Sequence, residues 1–344
     1  MLAGKSTDII PVTPHWWGLY KFQAAGIVSG YEDEEKAWTL SGNKLAEVDV
    51  NFYEAFMPDM FHLTTGRASN YDNKKYAEAY ELKQRAAKLD SKNAIDEYID
   101  FLWRDKQHII DGGEFEHVKI ISQAYGEEVL IAVNEGLNTG CYFDPHGYVG
   151  FEEGLIGLVE KPENTGYYLS KIMDMTLERV KALSELGCHA YISSETYCSS
   201  DLMSPISYHD IIFPLHKKFF EEISKLGIIP IGYFTGNIIP MLDDIKQLGL
   251  GGLMIEESKK GFILDVGEIS KKLEGSCALF GNLDSVDVLQ KGTPDDVRKE
   301  TLRQLKAVGG ARFIMSNGCP ISFDTPAENI KMLINTVREY NNRS

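Results

Sequence analysis

Residues 228–237 read Ile-Ile-Pro-Ile-Gly-Tyr-Phe-Thr-Gly-Asn, a short apolar run that stops abruptly in a polar cluster. The run is too short for a helix and too continuously apolar for the alternation of a half-exposed strand. It suits a parallel strand covered on both faces. The pattern recurs at Val129–Val133, His189–Ile192, Gly252–Ile255, Ala278–Gly281 and Ala311–Met315, each time followed by polar residues and a helical stretch. Two earlier runs, Ile10–Val12 and Met57–Leu63, bring the number to eight. Eight such strands with intervening helices predict an α/β fold, a (β/α)8 TIM-type barrel, rather than an open doubly wound sheet.

Helix punctuation agrees. Thr293-Pro294 and Thr325-Pro326 each place a cap before a proline at the first helical position, and Glu328 is placed to complete a capping box with Thr325. Ser204-Pro205 opens a helix running through Glu222, with a kink expected at Pro214. Leu169, Met173, Leu177, Val180 and Leu183 share one helical face, and Gly187 supplies the stop. Residues 64–126 are polar and lack a convincing strand; they read as a helical insertion between the second and third strands, containing helices at Tyr76–Leu89 and Ala94–Lys106. No linker divides the chain, so residues 1–344 are expected to form a single barrel domain.

Composition narrows the partners. The 344 residues are 43% hydrophobic and 25% charged, ordinary for a folded soluble protein. The formal charge of −16 repels phosphate backbones, so a nucleic-acid partner is not expected. Prolines and glycines interrupt Leu226–Leu242, the longest nearly uncharged stretch, and no membrane anchor or export signal is visible. A cytoplasmic location is expected, in which Cys141, Cys188, Cys198, Cys277 and Cys319 are free thiols. The oligomeric state is not legible, and a homodimer is compatible with the chain.

In a barrel of this kind, chemistry sits where the strands end. The polar and aromatic residues at those places are His15, Trp16 and Trp17; His62; Asn134 and Glu135; Ser193, Ser194, Glu195, Thr196, Tyr197 and Cys198; Tyr233, Phe234, Thr235 and Asn237; Glu256, Glu257 and Ser258; Asn282 and Asp284; and Ser316, Asn317 and Cys319. Each has a plainer alternative. The histidines can be wall residues, Asp284 a helix cap, Cys319 a filler, and the Trp pair packing. Glu257, beside Lys259 and Lys260, can be a solvated loop residue. Glu195 and Glu256 are harder to explain away, because a carboxylate following an apolar strand needs a partner. GxGxxG, Walker, HExxH and GxSxG motifs are absent.

The segments Leu279-Phe280-Gly281-Asn282-Leu283-Asp284, Gly292-Thr293-Pro294, Phe313-Ile314-Met315-Ser316-Asn317-Gly318-Cys319 and Thr325-Pro326-Ala327-Glu328-Asn329 resemble the uroporphyrinogen decarboxylase superfamily. That superfamily includes corrinoid- and thiol-directed methyltransferases, and the resemblance implies a TIM-type barrel. The decarboxylases carry an arginine-rich N-terminal motif that grips porphyrinogen carboxylates. Here His15–Gly26 contains no arginine, which counts against decarboxylation. Zinc-dependent methylcobamide:thiol methyltransferases carry His-x-Cys-Gly after strand five and a cysteine after strand eight. This chain has Tyr233-Phe234-Thr235-Gly236 at the first place and keeps Cys319 at the second.

The stretches Pro14–Lys21 and Glu256–Phe262 look similar to the first methyltransferase component of corrinoid-dependent O-demethylases. The resemblance implies an enzyme that moves a methyl group from a methoxylated aromatic to the Co(I) corrinoid of a partner protein. Catalytic roles then fall to Glu195, Tyr233, Asn282 and Asp284, and substrate binding to His15, Trp16, Trp17, His62, Tyr197 and Phe234. Zinc is implied with ligand sets that vary within the subgroup; Glu195, Glu256 and Cys319 form the candidate set here, and a set including a histidine is conceivable. The alternatives are a uroporphyrinogen-type decarboxylase, a methylcobamide:thiol methyltransferase with an altered zinc site, and a non-catalytic barrel kept as a binding module.

Overall fold

The structure, a computed structural model, describes the chain apart from residues 1, 3–8, 17, 31–35, 38, 66–72, 311 and 343–344, together with the side chains of residues 18 and 73–78. Seven parallel strands lie side by side in sequence order: β1 (Met60–Thr64), β2 (Leu130–Glu135), β3 (Ala190–Glu195), β4 (Ile229–Phe234), β5 (Gly252–Ile255), β6 (Ala278–Phe280) and β7 (Phe313–Ile314). The predicted runs fall on these strands within a few residues, and Gly252–Ile255 matches without a shift.

The first predicted run forms no extended strand. It contributes one parallel bridge, Val12 to Met315, with backbone bonds from Thr13 N to Met315 O and from Met315 N to Pro11 O, each 2.8–2.9 Å. On its other side, Asp59 N donates to Val12 O at 2.9 Å, just ahead of β1. This segment therefore touches both edges of the sheet, an arrangement consistent with a TIM-type barrel. Asp59 holds the seam from outside: its carboxylate accepts from Val12 N at 2.7 Å and from the Arg338 guanidinium at 2.7 and 2.8 Å.

Alternation along each strand sorts the side chains into two compartments. Met60, Ala132, Ala190, Ile192, Ile231, Tyr233, Met254, Ala278, Phe280 and Ile314 pack together inside the curled sheet. The alternate residues join the larger core between strands and helices, with Leu63, Val133, Tyr191, Phe234 and Leu253 among them.

Helix punctuation follows the sequence in most places. Thr293 and Asp296 form a reciprocal capping box at Pro294–Val308. Ser204 caps the helix that begins at Pro205. Ahead of Pro214, which has no N–H to give, residues Tyr208–Ile212 widen into a π turn before the helix resumes at Phe213–Lys225. The capping box expected from Thr325 and Glu328 does not form: Pro326 stands at the cap position without a side-chain bond, and Glu328 faces solvent. Between β1 and β2 lie helices Asn73–Ala87, Lys92–Leu102, Lys106–Asp111 and Glu116–Tyr125, and the last of these packs against β2 as an ordinary crossover helix would. Among the described residues, no helix is long and apolar enough to cross a membrane.

One buried ion cluster ties this helical interval to the barrel wall. Arg179, on helix Pro162–Glu185, forks onto Glu135 at the end of β2 (2.6–3.2 Å) and also pairs with Glu114. Both carboxylates are at most 5% exposed. Removing the guanidinium leaves the buried Glu135 without its cation, while Glu114 keeps Arg104, so Arg179→Met is expected to lower unfolding stability by about 3–5 kcal/mol. Urea denaturation at pH 7 measures it, and a loss below 1 kcal/mol would contradict the cluster's role.

Candidate active site

At the C-terminal end of the sheet, the inward rows finish in polar residues. His62 and Asn134 follow Met60 and Ala132, Ser194 follows Ile192, and Glu256 follows Met254. His15, carried in on the seam segment, stacks on His62 with centroids 5.2 Å apart and meets the edge of the Tyr233 ring at 4.5 Å. A short relay crosses three strands: Ser194 donates to Asn134 Oδ1 at 2.8 Å, and Asn134 Nδ2 lies 3.2 Å from His62 Nε2. With Nε2 accepting, His62 carries its proton on Nδ1, which has no hydrogen-bond partner. Burial lowers the pKa of His15 to about 4, against a smaller upward pull from its bond to Gly318 O. Burial, helped by His15 and Lys21, lowers that of His62 well below the usual imidazole range. Both rings are neutral at physiological pH.

Tyr233 leads on to a group built from Glu256, Glu257 and Cys319, whose donor atoms all lie within 4.8 Å of one another. The Tyr233 phenol is pushed well up by burial and then by Cys319, Glu256 and Glu257. Each carboxylate is fixed by one oxygen to the backbone: Glu256 Oε2 accepts from Gly236 N at 2.7 Å, and Glu257 Oε2 from Cys319 N at 2.6 Å. Cys319 Sγ lies 3.5 Å from Glu256 Oε1, and its thiol is raised by burial and by the two carboxylates. The chain can bring these groups so close because residue 318 is glycine; a Cβ there would overlap the backbone nitrogen and the carboxylate of Glu257. Asn317 sets the position of Cys319. Its side chain accepts from His15 N and donates to His15 O and Cys319 O, at 2.7–2.9 Å.

The other predicted residues are placed differently. Glu195 points away from this cluster, on the same face of β3 as Ser193, into the layer between strand and helices. It is fully buried, accepts from Ser193 Oγ at 2.5 Å and from the Thr139 hydroxyl, and lies 3.2 Å from His216 Nε2, off the line of a hydrogen bond. Burial alone would raise its pKa, but the facing His216 and the Ser193 and Thr139 hydroxyls outweigh it and hold the value at about 2. Glu195, Cys198 and His216 thus form a separate donor group, and the predicted ligand set of Glu195, Glu256 and Cys319 is split between two places.

Trp16 is 2% exposed and packs edge-on against Phe52 at 4.1 Å, so its ring belongs to the core rather than to a substrate slot. Phe234 is likewise in the outer layer, 6.2 Å from His216. Tyr197 leans on Phe143 and Phe151. Trp17 lies outside the described residues. Asn282 spends its amide on Glu256 O and Leu264 O, fixing the loop after β5, and Asp284 caps Ser285–Gln290 through Val286 N and Asp287 N. Glu257, 2% exposed, is no solvated loop residue.

Lys259 was hidden from sequence reasoning because only the return of its short hairpin brings it onto the carboxylates. Its sole signal was spacing, three residues after Glu256. A cavity of about 480 Å³ opens near Tyr53, Phe56, Asp59, Lys331 and Arg338, at the N-terminal end of β1, and none of the cluster residues lines it.

With this geometry in view, residues 116–340 match the uroporphyrinogen decarboxylase (URO-D) family, and the chain belongs to it. It is similar to the methylcobamide:CoM methyltransferase MtbA of Methanosarcina acetivorans, 23% identical over 228 residues, covering 65% of this chain and 62% of that protein. Against the methylcobamide:CoM methyltransferase MtaA of Methanosarcina barkeri, identity is 29% over 159 residues, covering 46% and 44%. The chain therefore spans less than two thirds of either relative. A solved methyltransferase from Methanosarcina mazei shares the fold, with a TM-score of 0.73 at 19% identity over 98% of this chain and 96% of that one.

As for the zinc implied by the resemblance, two carboxylates each anchored by a backbone N–H, with a thiol beside them, suit that ion, so the Glu256–Glu257–Cys319 group fits it. The Glu195 pKa carries a stability consequence. A carboxyl held near 2 rather than about 4.5 stabilises the fold above the higher value and loses that contribution as pH falls toward the lower one. Glu195→Gln is expected to be less stable than the parent by roughly 2–3 kcal/mol at pH 7, with the gap closing between pH 4.5 and 2. Denaturant midpoints across that range check it; a gap independent of pH would remove Glu195 as the source.

Proposed function

We propose that this chain is a corrinoid-dependent methyltransferase that takes a methyl group from a methoxylated aromatic and passes it to the Co(I) corrinoid of a partner protein. The observation that carries this reading is the convergence of Tyr233, Glu256, Glu257 and Cys319 beside two neutral histidines, with no arginine among them to grip a tetrapyrrole's carboxylates. The similarity to methylcobamide:CoM methyltransferases favours methyl transfer too.

As the methyl carbon passes to the partner's corrinoid, the methyl C–O bond would break and its electron pair would stay on the aryl oxygen. Charge builds on that oxygen, so the site must offer a donor or Lewis acid there. Zinc held by Glu256, Glu257 and Cys319 would polarise the oxygen. Tyr233, which keeps its proton at neutral pH, donates a hydrogen bond to the same developing charge. The Nδ1–H of His62 is a further donor for a substrate hydroxyl or methoxy oxygen. Because both histidines are neutral, neither adds positive charge that would favour binding of an anionic product.

The sulfur of Cys319 favours one second reading, a methylcobamide:thiol methyltransferase with an altered metal site. The same assay separates them. Incubation with Co(I) corrinoid and a panel of methoxylated aromatics should produce the methyl-cobalt spectrum. Demethylation of methylcobalamin by a thiol, with no transfer from any aryl ether, would overturn the demethylase reading. Within the working assay, Tyr233→Phe should lower kcat roughly a hundredfold with little change in KM, because the donor matters mainly when the oxygen is charged.

A further inference from the structure

Glu256 and Glu257 share one arrangement. Each ties its Oε2 to a backbone N–H, Gly236 for the first and Cys319 for the second, and each leaves Oε1 free of the backbone. Those two Oε1 atoms and Cys319 Sγ all face one point, and the ammonium of Lys259 sits there. Nζ pairs with Glu257 Oε1, lies 3.3 Å from Glu256 Oε1 and 3.7 Å from Cys319 Sγ. Two carboxylates, each braced from behind, and a thiol around one cation have the build of a metal centre whose central position is taken by a side chain.

Lys259 arrives from the surface rather than from the barrel wall. It lies on a two-residue turn, Lys260-Gly261, closed by reciprocal bonds of 3.1 Å between Lys259 and Phe262. Its side chain is 40% exposed, so a short rotation about its flexible stem returns the ammonium to water without unfolding anything. Glu257, by contrast, is 2% exposed and cannot follow.

We infer that Lys259 and a divalent cation are alternative occupants of the pocket formed by Glu256, Glu257 and Cys319. With no metal bound, the tethered ammonium neutralises the carboxylates and keeps the pocket closed. A metal enters by displacing it, so Lys259 sets the affinity of the centre. The inference rests on the metal-site part of the functional reading, yet it is tested without any methyl transfer.

The experiment titrates chelator-treated protein with Co(II), read by thiolate-to-cobalt charge-transfer absorption. Lys259→Ala should bind Co(II) roughly tenfold or more tighter than the parent, because the ion no longer competes with a paired cation. Lys259→Arg, which retains the charge, should stay near the parent affinity or below it. Cys319→Ser should lose the charge-transfer band, whereas Glu195→Gln, at the separate buried group, should keep it. Thermal melts establish that each variant is folded, and Lys259→Met, which preserves the stem, replaces Lys259→Ala if the latter is not. Equal or weaker binding without the ammonium, a band that survives Cys319→Ser, or no Co(II) binding by any variant would each overturn the proposal. Loss of methyl transfer with this binding pattern intact would count against the functional reading alone.

Discussion

Everything at the polar end of this barrel depends on the two-residue period of a parallel strand. On β3 the even-numbered residues look into the barrel and the odd-numbered ones into the helical layer, so Ser194 and Glu195, adjacent in sequence, belong to different environments. The same alternation gives His62, Asn134 and Tyr233 to the interior while Phe234 goes to the wall. Shifting any strand by one residue would exchange these sets. The geometry of the candidate site is thus fixed first by parity and only afterwards by side-chain chemistry.

A second constraint is that each buried charge must be answered. Glu135 and Glu114 are answered by Arg179, Lys21 by Asp49, Glu195 by His216 with two hydroxyls, and Glu257 by Lys259 and a backbone N–H. In the first three, the answering Arg179, Asp49 and His216 are themselves at most 12% exposed. The fourth differs in that its cation comes on an exposed, flexible stem.

Much of the fold was legible in the sequence because strand cores are short apolar runs and helix starts carry proline and hydroxyl signals. Val12 escaped as a full strand because the seam needs only a few backbone bonds between its two neighbours. The site was legible as a list of strand-end residues and illegible as an arrangement. Glu195 and Glu256 look alike from their surroundings in the chain, each following an apolar strand; which way each points depends on its count from the strand start. Trp16 looked like a substrate platform until Phe52, 36 positions further on, came to lie against it. Lys259 looked like solvent-facing charge because no local pattern records where a hairpin folds back.

The clasp of Asn317 on His15 joins positions separated by 302 residues. Its partners stand near opposite ends of the chain, so the pocket has no local precursor: neither half can hold His15 beside Cys319 by itself. During synthesis the strands from β1 onward can pair as they emerge, but the pocket waits until Asn317 has left the ribosome. A chain broken off before that point could bury much of its apolar surface and still lack the whole arrangement of donors. The order of events in time is therefore scaffold first and chemistry last, an order written into the connectivity rather than into any one residue.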